Sequence, residues 1–523
     1  MKKIILPIIL CLGIVPLMAQ PTDFDALKMA QTDIVGTARY MGMAGAFGAL
    51  GGDVSAVKDN PAGLGVYRSS EITTTFNIKN QRSVSTWNQQ TATADMFNFT
   101  FSNFSYVLSL PTVAESRGHS SGLLRSNFGF SYNRLKNFHR NSNIRGNSMP
   151  ASYTDYLANM TNVAGIRDTD FDEYDYGKTG YDDIPWLSVL AYDTWLTSPE
   201  GENGDDWKSL LRDGETVSPS YFISETGYVD EYSFSWGGNV SNMFYFGASV
   251  NIQTLVYNKN SRYGEDFGNS EFFKLNSLLS SSGWGVNMNI GVIYRPIDLI
   301  RIGVSYRTPT VYSMHDSSKG YMDSGVDMNA RYNMNEGFVN YSTDTYLFAD
   351  AWYRLRVPGQ WTGSLGFILG RRAIVSADFV YTDYRNTRLA GDNGDFGLYD
   401  LENERMRNTA KGGITMKFGA EYRVTDHLSV RAGFAAATAI SNPESYKDVR
   451  TNTKRTDSEY FHHKGTNYFT AGLGYRGNFW YVDATFVNKN VTENFYPYDF
   501  ENVIPATVKT HNFDVVATIG FKF

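Results

Sequence analysis

Apolar residues recur one in two along most of this chain and rarely run together. At the C-terminus Phe513, Val515, Ala517, Ile519, Phe521 and Phe523 alternate with Asp514, Val516, Thr518, Gly520 and Lys522. Ile414, Met416, Phe418, Ala420 and Tyr422 alternate in the same way with Thr415, Lys417, Gly419, Glu421 and Arg423. A period of two marks a strand with two unlike faces. Fourteen such segments stand near 70–79, 96–110, 126–138, 229–240, 243–258, 284–296, 299–312, 352–369, 373–385, 412–424, 427–440, 466–477, 479–489 and 511–523. After residue 19 no stretch holds the roughly 18 consecutive apolar residues of a spanning helix. With 42% hydrophobic residues, 34 Phe and 35 Tyr, the chain has ample apolar surface to bury, which excludes disorder. Its single cysteine excludes a disulfide scaffold.

The links between segments are unequal. Ser241-Asn242, Ile297-Asp298, Gly370-Arg371-Arg372, Thr425-Asp426 and Gly477-Asn478 are very short, and they alternate with long connections, the longest from about 139 to 227. Short turns on one rim and long loops on the other are the wiring of an outer-membrane barrel. The expected fold is all-β: a 14-stranded antiparallel transmembrane β-barrel over 70–523, lipid outside, polar lumen inside, both termini at the short-turn rim. Tyr294, Tyr306, Trp361, Tyr381 and Trp480 lie near strand ends, where interfacial aromatic girdles belong.

The first 19 residues, with Lys2 and Lys3 ahead of apolar Ile4 to Met18 and then Ala19, read as a secretory signal peptide. Removing them leaves 45 basic residues against 54 acidic ones, a net of −9, with no basic stripe to suggest nucleic acid. The expected location is the bacterial outer membrane. The expected contacts there are membrane lipid, lipopolysaccharide and, through Phe523, the barrel-assembly machinery.

Residues 20–69 do not alternate. Gly42, Gly45, Gly48 and Gly51 recur every third residue in GTARYMGMAGAFGALGGD, followed by Asp59-Asn60-Pro61-Ala62-Gly63-Leu64. No phosphate loop or dinucleotide fingerprint is present. Small residues let backbones lie against one another, as a plug inside a lumen requires. These two stretches resemble the N-terminal hatch of the FadL family of outer-membrane channels for long-chain fatty acids and hydrocarbons, most nearly its Bacteroidetes-type branch. The resemblance implies a hatch over 20–69 that enters from the periplasm, with Asn60, Pro61, Ala62 and Gly63 as its motif. It also implies passive, hatch-gated uptake of a hydrophobic small molecule. A kink in the third strand would give a lateral opening, for which Gly129, between Phe128 and Phe130, is the candidate.

The 139–227 loop carries 16 acidic and 6 basic residues, a net of −10, so nearly all of the acidity sits there. Its run Asp168, Asp170, Asp172, Glu173, Asp175 has Glu173 where a calcium loop needs Gly, and it reads as a solvated acidic surface. An alternative function follows from this loop: a structural or adhesive surface barrel acting through it. Residues 184–195 and 270–279 each read as a short amphipathic helix. Together they offer Trp186, Leu190, Trp195, Phe272, Leu275 and Leu279 as a ligand-capture groove, or as loop-packing core. In the lumen, alternation places Asp378, Lys417, Glu421, Arg431, Asp483 and Asp514 inward. Lys417 and Arg431 are the candidates to meet a substrate carboxylate, since a buried anion needs a cation or several donors. No catalytic motif is found, so neither an enzyme nor a cofactor or metal site is expected.

Overall fold

The structure, a computed structural model, describes residues 21–172, 184–201, 203–343, 347–449 and 454–523. The segment read as a signal peptide, Glu173 and Asp175 therefore lie outside the described residues. Fourteen antiparallel strands close into one barrel. They are β1 (Glu71–Trp87), β2 (Gln90–Pro111), β3 (Leu123–Asn137, continued by Arg140–Arg145), β4 (Ser218–Val240), β5 (Phe244–Gly268), β6 (Glu271–Ile297) and β7 (Ile300–Arg307 with Thr310–Asp327). The remainder are β8 (Leu347–Val357 with Gln360–Leu369), β9 (Ala373–Asp383, continued by Arg388–Gly391), β10 (Gly412–Arg423), β11 (Leu428–Thr438), β12 (Tyr460–Arg476), β13 (Trp480–Tyr496) and β14 (Ala506–Lys522). Pairing of β1 with β14, from Glu71↔Lys522 to Thr86↔Thr507, closes the ring.

Each segment read from alternation is a strand, and most run farther toward the long-loop end. At 27 residues, β6 is well over twice the ~9–11 residues that cross a bilayer. Beyond the lipid-facing band the outward residues become polar as well, as with Arg82 and Thr86 opposite inward Gln81, Ser83 and Ser85. There the pairing continues but the apolar signal stops. Two connections read as long loops are accordingly tight hairpins. Asn88-Gln89 and Asn269-Ser270 each place two residues at positive φ, as type I′ turns require.

The second hairpin corrects the reading of a helix over 270–279. Phe272, Leu275 and Leu279 match a helical face by spacing, but Phe273, Leu275, Ser277 and Leu279 also form an inward strand face. Pairing with β5 and β7 on both sides stabilises the strand. Strands β7 and β8, read as continuous, are each broken at a proline. Pro309 and Pro358 lie at the same level, between the Arg307↔Gln360 and Thr310↔Val357 pairs, because proline has no N–H for the ladder.

The outer face carries exposed Phe76, Phe99, Ile290, Val304, Phe418 and Phe486, and Trp361 stacks beside Tyr306 with ring centroids 4.4 Å apart. At the long-loop end a cap of two helices, α3 (Tyr153–Val163) and α4 (Trp186–Asp193), encloses a hydrophobic cluster with the strand tops, including Leu157, Leu190, Phe273, Met322 and Phe495. A Ser152 capping box starts α3. Among the described residues, upper β9 pairs with a strand on one side only. On the other the helix α5 (Asp400–Thr409) stands in, and the Asn403 amide accepts from the Leu389 N–H and donates to its C=O, both at 2.8 Å.

Candidate functional site

Residues 21–69 fill the lumen as two short helices, α1 (Asp23–Ala30) and α2 (Ala38–Gly42), and two 3₁₀ turns, Val54–Lys58 and Pro61–Val66. They are buried almost throughout. Asn60 builds the motif turn. Its Oδ1 accepts from the Ala62 N–H at 3.1 Å, while its Nδ2 donates to Gly48 O at 2.7 Å and to Val292 O of the wall at 3.3 Å. Pro61 occupies the first position of the turn, where a missing N–H costs nothing. Gly63 lies against Gly51, which adopts φ +61°; a Cβ on Gly51 would lie 2.7 Å from Gly63 Cα.

The wall meets this segment with glycines. A Cβ on Gly247 would fall 2.3 Å from Pro61 O, on Gly303 2.5 Å from Gly48 O, and on Gly433 2.5 Å from Ala44 N. Backbone thus lies directly on backbone around much of the ring. Gly129 belongs to this set: a Cβ there would meet Leu64 at 3.3 Å. The β3 ladder runs in register through Gly129, paired to Val107 and Ser235, and its shifts fall at Leu124 and Leu135. Gly129 is therefore a seat for the hatch with no kink in the strand. On the lipid side of this thin wall lies an apolar groove of about 530 Å³ lined by Phe128, Phe130, Phe234 and Trp236.

The inward charges hold the hatch. Lys417 pairs with Asp59 at 3.0 Å, and Asp59 also accepts from Tyr40 Oη at 2.6 Å. Arg431 pairs with Glu421 at 2.7 Å and Asp483 at 2.6 Å, and Glu421 takes Arg39 at 2.8 Å. Asp378 accepts from the N–H groups of Phe47 and Gly48 at 3.0 and 2.9 Å. Lys417 and Arg431 thus have internal carboxylate partners, and each of the two reaches the hatch directly or through Glu421. Within the hatch, burial brings the Lys58 ammonium down to about 8.

Farther toward the long-loop end, α1 forms a second tier. A Thr22 capping box starts it, and its Asp25 meets Arg455 of the 439–459 connection at 3.0 Å, while Arg455 also pairs with Asp457 at 2.6 Å. Leu27 and Met29 pack with Phe138, Tyr257, Tyr353 and Met406. Between α1 and the wall of β1, β3, β12, β13 and β14 lies a cavity of about 190 Å³. Its lining includes Phe24, Leu27, Phe138, Tyr460 and Phe461 together with Lys79, Lys136, Lys489 and His463.

The residues expected to form a capture groove divide. Trp186, Leu190 and Leu275 join the cap's hydrophobic cluster, with Trp195 packed against it. Leu279 belongs to the lumen cluster around α1, and Phe272 lies half-buried on the alternate face of β6. Sequence reasoning missed Asp25, Arg455, Lys79 and Lys136. Lys79 was accessible, since it continues the inward series Thr73, Thr75, Asn77. Lys136 was not, because the shift at Arg134/Lys136 changes the phase of alternation.

No family model and no curated protein matches the sequence. Solved structures do. A Pseudomonas aeruginosa FadL homologue superimposes with a TM-score of 0.54 at 14% identity, covering 95% of this chain and 99% of its own. The Pseudomonas putida toluene transporter TodX gives 0.48 at 12% identity over 94% and 99%. The first superposition spans nearly the full length of both chains, and what this chain shares with that FadL homologue is its fold, a closed 14-stranded antiparallel barrel.

Proposed function

We propose that the barrel is an outer-membrane channel for passive uptake of hydrophobic small molecules, with the N-terminal hatch as its gate. The observation that carries this reading is the partly apolar cavity between α1 and the barrel wall, in a lumen blocked below by the rest of the N-terminal segment. A structural barrel has no need of either. The hatch is seated by backbone contacts, ion pairs, wall hydrogen bonds such as Thr485 Oγ1 to Ala38 O, and a hydrophobic cluster with Tyr468, Val487 and Val516, and in this reading it leaves that seat as a unit. The apolar groove outside Gly129, with Leu64 directly behind the wall there, supports a lateral exit to the membrane at β2–β5.

A disulfide lock tests the gate. A Cβ on Gly48 would lie 3.0 Å from Ser364 Cβ, near disulfide range after a small shift. The sequence has no cysteine beyond Cys11. Cells carrying Gly48→Cys with Ser364→Cys should lose uptake of labelled oleate or toluene when oxidised and regain it on reduction. Full uptake by the oxidised protein would refute a moving hatch.

A further inference from the structure

The cavity between α1 and the wall carries more positive charge than its own residues neutralise. Seven Lys and Arg side chains line it against five Asp and Glu. The ion pairs account for all but two of those cations. Lys28 and Arg140 share Glu225, and Arg140 also meets Glu493. Lys489 holds Asp33 at 2.5 Å, Lys259 holds Glu459 and Asp457, and Lys447 holds Asp457. Lys79 and Lys136 remain. Among the described residues Lys79 forms no ion pair or hydrogen bond; its cross-strand neighbour Asp514 accepts from Asn77 instead. The Lys136 ammonium donates only to the backbone carbonyl of Lys28, at 2.6 Å.

Neutral donors face the same space. His463 has one ring nitrogen on Thr466 and its Nδ1 buried without a partner. A buried ammonium with no carboxylate partner is costly, and it either gives up its proton or gains an anion. Aromatic rings lie among these cations: the Lys136 ammonium sits 4.9 Å from the Phe138 ring centroid. Phe24 packs on Tyr460 with centroids 5.0 Å apart, and Phe138 on Tyr257 at 5.0 Å.

We infer that this cavity is a binding site for a compact organic anion, a carboxylate on an aromatic or short apolar body, with Lys79 and Lys136 as its cationic partners. Volume sets the size. The cavity of about 190 Å³ slightly exceeds the ~150 Å³ that suffices for benzene. A ring and a carboxylate fill it, whereas an eighteen-carbon chain would have to extend out through its open side. The inference deepens the channel reading, and it names a substrate class that differs from both a neutral hydrocarbon and a long-chain acid.

The test is binding to the full chain in nanodiscs, with 4-methylbenzoate, toluene and oleate as probes. 4-Methylbenzoate should bind saturably and at least tenfold more tightly than toluene. The K79Q/K136Q protein should lose tenfold or more of that affinity while toluene binding stays unchanged, and K79R/K136R should recover most of it. A heat-modifiable band on gels confirms that each variant has closed its barrel. No saturable binding of 4-methylbenzoate, equal affinity in the Gln variant, or oleate binding as tightly at the same site would each overturn the assignment. Uptake in cells is scored separately. Binding without uptake refutes the channel reading and leaves the site standing, whereas uptake without lysine-dependent binding refutes the site alone.

Discussion

Asp59→Asn is the sharpest perturbation of the hatch seat. The side chain keeps its shape and loses its charge. Lys417 is then left buried with only Tyr40 Oη, at 3.5 Å, in place of a carboxylate at 3.0 Å. Removing one partner of a buried ion pair costs about 3–5 kcal/mol, because the remaining charge stays desolvated. Tenfold in an equilibrium corresponds to about 1.4 kcal/mol, so even 3 kcal/mol raises the open-hatch population roughly a hundredfold. Amide hydrogen exchange reads that population directly. The reporters are Asn60 N–H, bonded to Ala56 O at 2.8 Å, and Gly63 N–H, bonded to Asn60 O at 3.0 Å. Both should exchange about a hundredfold faster in Asp59→Asn, with barrel-strand amides unchanged. Replacing both partners, as Asp59→Leu with Lys417→Met, removes the stranded charge and should restore most of the protection. Exchange in Asp59→Asn within threefold of the parent would refute the reasoning, as would a double variant that opens as readily as the single one.

Three further outcomes follow from other parts of the molecule. Gly247→Val places its Cβ 2.3 Å from Pro61 O, an overpacking expected to cost about 1–3 kcal/mol, visible as faster exchange at Ala62 with the barrel intact. Asn403→Leu strips both hydrogen bonds from the Leu389 peptide, and each unsatisfied buried group costs about 1–3 kcal/mol, so the α5 region should become protease-sensitive while α3 and α4 do not. In the cap, burial pushes the Asp193 carboxyl up to about 7. As pH rises from about 4, the unfolded form ionises first while the folded one keeps its proton, so cap stability falls until about pH 7 and then levels. Tryptophan fluorescence in urea at pH 5 and pH 8 should show this fall, and Asp193→Asn should flatten it.

The strands were legible wherever one face meets lipid and the other the lumen, because that contrast is what alternation records. Above the membrane that contrast is lost, and the extensions of β1 and β5 left no trace. The helix read over 270–279 shows the same ambiguity from the other side: Phe272, Leu275 and Leu279 satisfy two periods at once, and only cross-strand pairing decides. In the hatch, the glycine repeat indicated close backbone contact, and Gly63 against Gly51 is that contact. Its partners in the wall could not be named, since Gly303 against Gly48 joins residues far apart in sequence. Inward direction was predicted correctly for Lys417 and Arg431. Their carboxylates, Asp59 and Glu421 with Asp483, come from the hatch and neighbouring strands, and parity along one strand says nothing about which residue stands opposite.

The two tiers of the lumen constrain any path through it. The lower one, from α2 to Val66, rests on glycines and on ion pairs such as Lys417 with Asp59. The upper one is α1, held by Asp25 to Arg455 and by Lys28 to Glu225. A ligand from the long-loop side meets the upper tier first, and the cavity lies against α1 itself. Displacing α1 separates Asp25 from Arg455, whose guanidinium is buried and keeps Asp457 as a second carboxylate. That second partner lowers the cost of opening above, whereas among the described residues Asp59 is the one carboxylate within ion-pair distance of Lys417 below. The upper tier is therefore the easier to move. On the proposed channel reading, an anion from the long-loop side would reach the cavity before the lower tier is disturbed, and its binding against α1 would be the step that biases the closed hatch.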